Sequence, residues 1–305
     1  MTPSRGTSKS AQLTVLSWNL ERNGAGDPAQ RLRAHKLLAS LNPHLVLRQE
    51  MWGSETSGNQ IMYELEDVLG LRGWLGAQAS TAVFADPGTF QPLREWPVVG
   101  PMWAQPPTAL TFRFKSAGTG SMPLVVVSYH LGYASATNRL AEAEWLSTFA
   151  DKTWTTRDGE TVRVPALLAG DNNSYPAPIT DDDVPLPDLK AIADRPHRLH
   201  RSFVGPGGRR VMDTRPDEAL RVAGLEDVAR YWSTASIDGK PALSRTVNAC
   251  DTHGPDSRID RIYATTDLLG AVTGVDVIEV PTTMSDHHIV RMRLDAKRLT
   301  NILDW

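Results

Sequence analysis

Polar side chains able to grip a cation or a phosphate recur just where apolar runs end. Asn19 and Glu21 follow Val15-Leu16-Ser17-Trp18, Glu50 follows Leu45-Val46-Leu47, and His130 follows Val125-Val126-Val127. Asp171 and Asn173 come after Leu167-Leu168-Ala169-Gly170, Asp260 lies within Arg258-Ile259-Asp260-Arg261-Ile262, and Asp286-His287 follows Met284-Ser285. Carboxylates and amides are hard oxygen donors, so this set with its two imidazoles suits Mg²⁺ or Mn²⁺ better than a soft metal. Taken singly, each residue has an ordinary explanation. Asn19 reads equally as a strand-end turn residue, Glu50 as a solvated carboxylate, Asp171-Asn172-Asn173 as an Asx-turn and His130 as a satisfied, partly buried histidine.

Such residues need strands to position them. Leu13 to Leu20 is a β-rich run, and Asp27-Pro28-Ala29-Gln30 supplies an N-cap, a first-turn proline and a capping-box glutamine. A helix is expected from Pro28, burying Leu32, Leu37, Leu38 and Leu41 and ending at Asn42-Pro43, with a strand over His44 to Leu47. Further strands are predicted at Thr81–Ala85, Ala109–Phe114, Leu124–Tyr129, Ala166–Ala169, Ile259–Ala264, Val272–Ile278 and His288–Arg293. Helices are predicted near Asn59–Leu69, Thr137–Phe149 and Pro216–Ala223. Strands spread from end to end with helices between them indicate one layered α/β sandwich. Its expected bounds are 13–296, with a flexible segment over 1–12 and a tail over 297–305. Ser174 to Arg215, rich in proline, aspartate and arginine, breaks the strand pattern for longer than an ordinary connection, as functional or mobile loops do.

Composition excludes several classes. An apolar fraction of 41% and a charged fraction of 22% over 305 residues supply a sizeable core and argue against disorder. A net charge of −3 gives no global pull on polyanions, so nucleic acid would need a local basic surface. The lone Cys250 forms no internal disulfide or cysteine-rich zinc site and reads as a part-buried small apolar residue. A polar N-terminus and the absence of any run long enough to span a bilayer lead to a cytoplasmic expectation. Oligomeric state is not legible.

The ordered motifs Ser17-Trp18-Asn19-Leu20, Arg48-Gln49-Glu50, Tyr129-His130-Leu131, Gly170-Asp171-Asn172-Asn173, Arg258-Ile259-Asp260-Arg261-Ile262 and Ser285-Asp286-His287 resemble those of the endonuclease/exonuclease/phosphatase superfamily. That superfamily includes deoxyribonuclease I, abasic-site endonucleases and inositol polyphosphate phosphatases. The resemblance runs from about Leu13 to Leu294 and keeps the family's order. It implies a four-layer α/β sandwich, with two mostly antiparallel sheets of roughly six strands flanked by helices. It further implies Glu50 as a principal metal ligand, with Asn19 and Asp286 near the metal. Glu21, two positions after the motif asparagine, is a weaker ligand candidate. Asp171 would orient and deprotonate the attacking water, and Asn173 would hold water or phosphate. His130 and His287 would donate to phosphoryl oxygens, and Asp260 would fix the tautomer of His287.

Departures bear on substrate. Met51-Trp52 follows Glu50 where deoxyribonuclease I has a groove-reading arginine, and no equivalent of the glutamate supporting the first catalytic histidine is recognisable, Glu95 lying in no motif. Arg195, Arg198 and Arg201, followed by Arg209-Arg210, are either phosphate contacts or a solvated loop. Trp52, Trp74, Trp96 and Trp103 are either stacking surfaces or packing. The leading expectation is a Mg²⁺- or Mn²⁺-dependent phosphodiester hydrolase, a nuclease. The alternatives are a phosphatase or phosphodiesterase for a nucleotide, inositol phosphate or sphingomyelin-like headgroup, and a noncatalytic binding member of the family.

Overall fold

The computed structural model describes residues 11–98, 100–179 and 183–304; residues 1–10 of the expected flexible segment and Trp305 of the expected tail lie outside them. The strands are β1 (Gln12–Asn19), β2 (Leu45–Gln49), β3 (Arg72–Leu75), β4 (Thr81–Ala85), β5 (Phe90–Trp96), β6 (Thr108–Phe114), β7 (Leu124–His130), β8 (Thr153–Thr155) and β9 (Thr161–Arg163). They continue with β10 (Ala166–Asp171), β11 (Ser202–Val204), β12 (Arg210–Met212), β13 (Leu225–Asp227), β14 (Asp260–Thr265), β15 (Val272–Ile278) and β16 (Ile289–Asp295). One six-stranded sheet runs β15-β16-β1-β2-β4-β3 and the other β13-β14-β10-β7-β6-β5, with β8–β9 and β11–β12 as separate pairs. Each large sheet has one parallel pair, β1 with β2 and β7 with β10, among antiparallel neighbours.

Side-chain alternation builds the layers. Leu13 and Val15 of β1, Leu45 and Leu47 of β2, Leu124 and Val126 of β7, and Leu167 and Ala169 of β10 point inward into one core between the sheets. The intervening residues face outward. Leu16, Trp18, Val46 and Phe84 meet Ala34 and Leu38 of helix Pro28–Ser40 and Met62 and Leu65 of helix Thr56–Leu69. On the far side Val125, Val127, Tyr129 and Leu168 meet helices Ala136–Leu146 and Arg215–Val222 through Ala143, Leu146 and Leu220. This is the expected four-layer sandwich. No helix of the described residues is long and apolar enough to cross a membrane.

Several local expectations are corrected. Asp27 caps the first long helix by accepting from the Ala29 N–H at 2.8 Å, but Gln30 closes no capping box; it donates to the Met284 carbonyl at 2.8 Å, tying the helix to the loop before β16 that carries Asp286. Leu32 is 41% exposed, and the buried stripe is Ala34, His35 and Leu38. The helix is turned so because His35 meets the guanidinium of Arg48, buried on the outer face of β2. Residues expected as a tail form helix Ala296–Leu303, with Leu299 and Leu303 buried and Asp295 as its cap. Cys250 is exposed, its sulfur accepting from the His253 N–H at 3.2 Å. The 174–215 stretch carries helix Arg195–His200 and the β11–β12 pair. It is pinned by buried Asp213, which binds Arg139 at 2.7 Å and Arg215 at 2.8 Å.

The His35–Arg48 contact makes an acid-stability prediction. His35 Nδ1 donates to the Arg31 carbonyl at 2.8 Å, so Nε2 must stay unprotonated to accept from Arg48. Burial first, then the charge of Arg48, hold the imidazole well below its ordinary value. A histidine whose folded value is depressed binds fewer protons folded than unfolded; its contribution is whole above about pH 6.5 and is lost as pH falls. Below that pH the folded state should lose about 1.4 kcal/mol per unit from this group. Urea unfolding between pH 4.5 and 7.5 measures the slope, and His35→Gln, which keeps an acceptor, should flatten it by about one proton. Parallel slopes in the two proteins would count against this role.

Candidate active site

The inward parity that fills the core also delivers the polar residues. On β1 the inward series is Leu13, Val15, Ser17, Asn19; on β7 it is Leu124, Val126, Ser128, His130; on β10 it is Leu167, Ala169, Asp171. Asp171 pairs in register with His130 on one side and with Asp260 on the other. Asn19 pairs with Gln49, so Glu50 is the next residue beyond the same edge, and β16, beside β1, begins just after His287. Apolar alternation that ends in a polar residue therefore sets six strand termini around one cleft of about 390 Å³.

Asp171 is the hub. Its Oδ2 accepts from Asn19 Nδ2 at 3.2 Å, across the sheet interface, and lies 3.4 Å from His130 Nε2 and 3.8 Å from His287 Nε2. Its Oδ1 accepts from the Asn173 N–H at 2.7 Å, in a turn that puts Asn173 at φ 46°. Burial opposes the charge of this carboxylate, yet the hydrogen bond and charge of His130, then the charge of His287, hold it well below the usual carboxylate range. Asn173 Nδ2 donates to the Leu131 carbonyl at 2.9 Å and stands 3.0 Å from His130 Nε2. That nitrogen cannot serve both neighbours at once: a protonated ring donates to Asp171, a neutral one can accept from Asn173. Despite burial, Asp171 raises the imidazole above its ordinary value and favours the first state.

His130 Nδ1 is buried without a partner among the described residues. Glu95 lines a separate hollow with Trp96, and Glu142 is committed to the Gly132 N–H at 2.6 Å and the Ala104 N–H at 2.7 Å. His287, by contrast, is fully braced. Its Nδ1 lies 2.8 Å from Asp260 Oδ2, and its carbonyl accepts from Trp18 Nε1 at 2.9 Å. Burial works against the imidazolium, but the adjacent Asp260 pushes it up to about 10. Asp171, Asp260 and His287 offer ligand atoms within 4.8 Å of one another, but one Asp260 oxygen and one imidazole nitrogen are engaged with each other.

Beside the hub is the acidic side of the cleft. Asn19 Nδ2 also donates to Glu50 Oε1 at 3.3 Å, and the Arg22 N–H donates to Glu50 Oε2 at 2.6 Å. Glu50 sits at φ 55°, a left-handed conformation that disfavours a side chain by about 1–2 kcal/mol and that functional sites often retain. Glu21 and Asp286 line the same cleft. Sequence reasoning assigned no task to Ser285, whose hydroxyl donates to the Asn19 carbonyl at 3.1 Å and accepts from the His287 N–H at 3.2 Å. It also missed Thr246, which receives the Asp260 N–H at 2.9 Å from an irregular segment with no pattern to mark it.

The basic stretch divides. Arg201 is 5% exposed and lines the cleft with His197 and His200. Arg198 donates to the Ile192 and Ala193 carbonyls at 3.0 and 3.3 Å, and Arg195 is exposed outside the cleft lining. Arg210 binds Leu199 and Ser202. Of the tryptophans Trp52 alone lines the cleft; Trp74 packs edge-on against Phe112, and Trp96 and Trp103 rest on the outer core. Tyr133 and His253, unmarked by any motif, complete one wall.

Two six-stranded sheets face to face, with acids, amides and imidazoles gathered at one edge, define the phosphoesterase fold of the deoxyribonuclease I type. The chain belongs to the Endonuclease/Exonuclease/phosphatase family, whose model matches residues 16–287. Among solved structures, an AP endonuclease from Archaeoglobus fulgidus superposes with a TM-score of 0.60 at 14% identity, covering 93% of this chain and 99% of that one. TDP2 from D. rerio, complexed with a single-strand DNA product, gives a TM-score of 0.58 at 14% identity, covering 93% and 98%. An endonuclease/exonuclease/phosphatase from Beutenbergia cavernae gives 0.57 at 19% identity, covering 93% and 71%. At these identities the likeness is one of fold. No curated protein matches the chain by sequence.

Proposed function

We propose that the chain is a divalent-metal-dependent phosphodiesterase whose substrate is nucleic acid. The observation that carries this reading is Asp171, buried and ionised, with His130 and His287 on one oxygen and the Asn19–Glu50 acidic side adjoining it. A hard cation fits that side. Asn19 spends its amide hydrogens on Glu50 and Asp171, leaving Oδ1 buried with no donor, and Asp286 Oδ1 is equally orphaned. Partial burial, then the charges of Asp286 and Glu50, raise the Glu21 carboxyl, which marks three acids crowded together. Asn19, Glu50 and Asp286 would hold Mg²⁺ or Mn²⁺, with Glu21 as a weaker partner. The bound cation would neutralise charge on the phosphoryl and leaving oxygens.

The protein's own groups do the rest. Asp171 and Asn173 orient a water for in-line attack. Held so low, Asp171 orients better than it accepts a proton; phosphoryl oxygens drawing on the two imidazoliums would relieve that depression. His287, kept protonated by Asp260, donates to the developing phosphoryl charge, and His130 does so from the other side.

A second reading, hydrolysis of a small phosphate ester or lipid headgroup, draws support from the cleft's 390 Å³, within the range of small-ligand sites. The buried cation Arg201 and the DNA-processing neighbours favour nucleic acid. A panel of single- and double-stranded DNA, RNA, abasic DNA, nucleotides, inositol phosphates and sphingomyelin, assayed with Mg²⁺ and Mn²⁺, tests the choice. Turnover should concentrate on the polynucleotides. Turnover confined to a headgroup or inositol phosphate would establish the second reading, and none on any substrate would leave a binding protein.

A further inference from the structure

One wall of the cleft has no task in the chemistry above. Tyr133, His197, His200, Arg201 and His253 line it. His197 lies 4.7 Å from His253 and 5.4 Å from His200, ring centre to ring centre, and stacks on Tyr133 at 6.5 Å. Burial first, then the positive field of Arg201, hold His253 down to about 4, and His200 is lowered too. Near neutral pH these two rings therefore face the cleft as uncharged flat surfaces.

Arg201 is the anomaly in this wall. It is 5% exposed, and its Nη1 is buried without a hydrogen-bond partner among the described residues. The other deeply buried arginines of this region meet carboxylates: Arg139 binds Asp213 at 2.7 Å, Arg230 binds Asp183 at 3.1 Å and Arg258 binds Asp227 at 2.7 Å. Asp213, whose N–H bonds the Arg201 carbonyl at 3.1 Å, is already divided between Arg139 and Arg215. A buried guanidinium without an anion is unfavourable, and at a cleft a ligand can supply the missing partner. The scissile phosphate has its donors in His130 and His287; Arg201 reaches Asp171 through its field, without a contact.

We propose that Arg201 and the surrounding rings form a second anion subsite, which takes a phosphate flanking the scissile one while the rings lie against the planar group between the two. The substrate class is then a chain of at least two phosphates joined through a nucleoside unit. This deepens the phosphodiesterase reading and depends on it.

The test uses dinucleotides sharing one scissile bond, without a terminal phosphate or with one at the 5′ or 3′ end. The parent should show a KM about tenfold lower for one of the phosphorylated forms, as expected for a charge-assisted arginine–phosphate contact. Arg201→Gln should erase that preference, and Arg201→Lys should restore part of it by keeping the charge without the planar fork. Should Arg201→Gln lose its fold, by its melting curve, Arg201→Lys carries the comparison. Equal KM values in the parent, an unchanged preference in the variants, or a kcat falling alike on all three substrates would overturn the subsite. Binding of inorganic pyrophosphate to chelated protein, followed by titration calorimetry, separates the two readings. Arg201-dependent binding without hydrolysis of any dinucleotide would sink the phosphodiesterase reading and leave the anion site. Hydrolysis without Arg201-dependent binding or preference would sink the subsite alone.

Discussion

Asp171→Asn is expected to lower kcat by about 10²–10⁴-fold, the range for losing general acid/base work, with substrate affinity largely kept. The variant preserves volume and one acceptor, so it can keep the Asn173 turn on its carbonyl oxygen, while its amide nitrogen faces Asn19 Nδ2 and gives up that contact. It removes the charge that chiefly keeps His130 protonated and that adds to the larger effect of Asp260 on His287. Water orientation and phosphoryl donation therefore fail together, and the loss should exceed that of Asp260→Asn, which disturbs His287 alone. Single-turnover kinetics, where chemistry limits the rate, make the comparison. A variant turning over near the parent rate would assign the attacking water to another residue.

The second large effect is loss of turnover on metal removal. Glu21, Glu50 and Asp286 line the cleft beside Asp171, so without a cation an anionic substrate meets four carboxylates. Chelator should abolish hydrolysis, and Mg²⁺ or Mn²⁺ should restore it. Glu50→Gln removes one charge from the acidic side and should lower activity by about 10³-fold or more at limiting metal, since Lewis-acid stabilisation amounts to several kcal/mol and each 1.36 kcal/mol is tenfold. Excess Mn²⁺ should recover part of it. Full activity of metal-free protein in excess chelator would remove the cation from the reaction.

The strand ends were legible because inward alternation and polar termination coincide: Val126 and Val15 announce the faces on which His130 and Asn19 must lie. Parity indicates a face, however, not a partner. Nothing along the chain says that Asn19 will donate to Asp171 from the opposite sheet, because that contact is set by the sandwich as a whole. The Arg201 wall was illegible for another reason. Its residues come from three segments, after β7, within 174–215 and near Cys250, where neither period two nor period 3.6 organises the sequence. In helix Pro28–Ser40 a leucine was expected inward, but the bond between His35 and Arg48 set the rotation. Polarity likewise disguised helix Ala296–Leu303, whose two buried leucines suffice to dock it.

The Asn19–Asp171 bond crosses from one sheet to the other, so neither sheet alone contains the site. Catalytic competence thus reports the docking of two halves rather than the presence of either. A molten globule of this chain would keep its strands and its far-ultraviolet signal, yet would have no hub. On gentle denaturation activity should vanish with the tertiary signal and ahead of the secondary, which makes turnover a local gauge of sandwich closure.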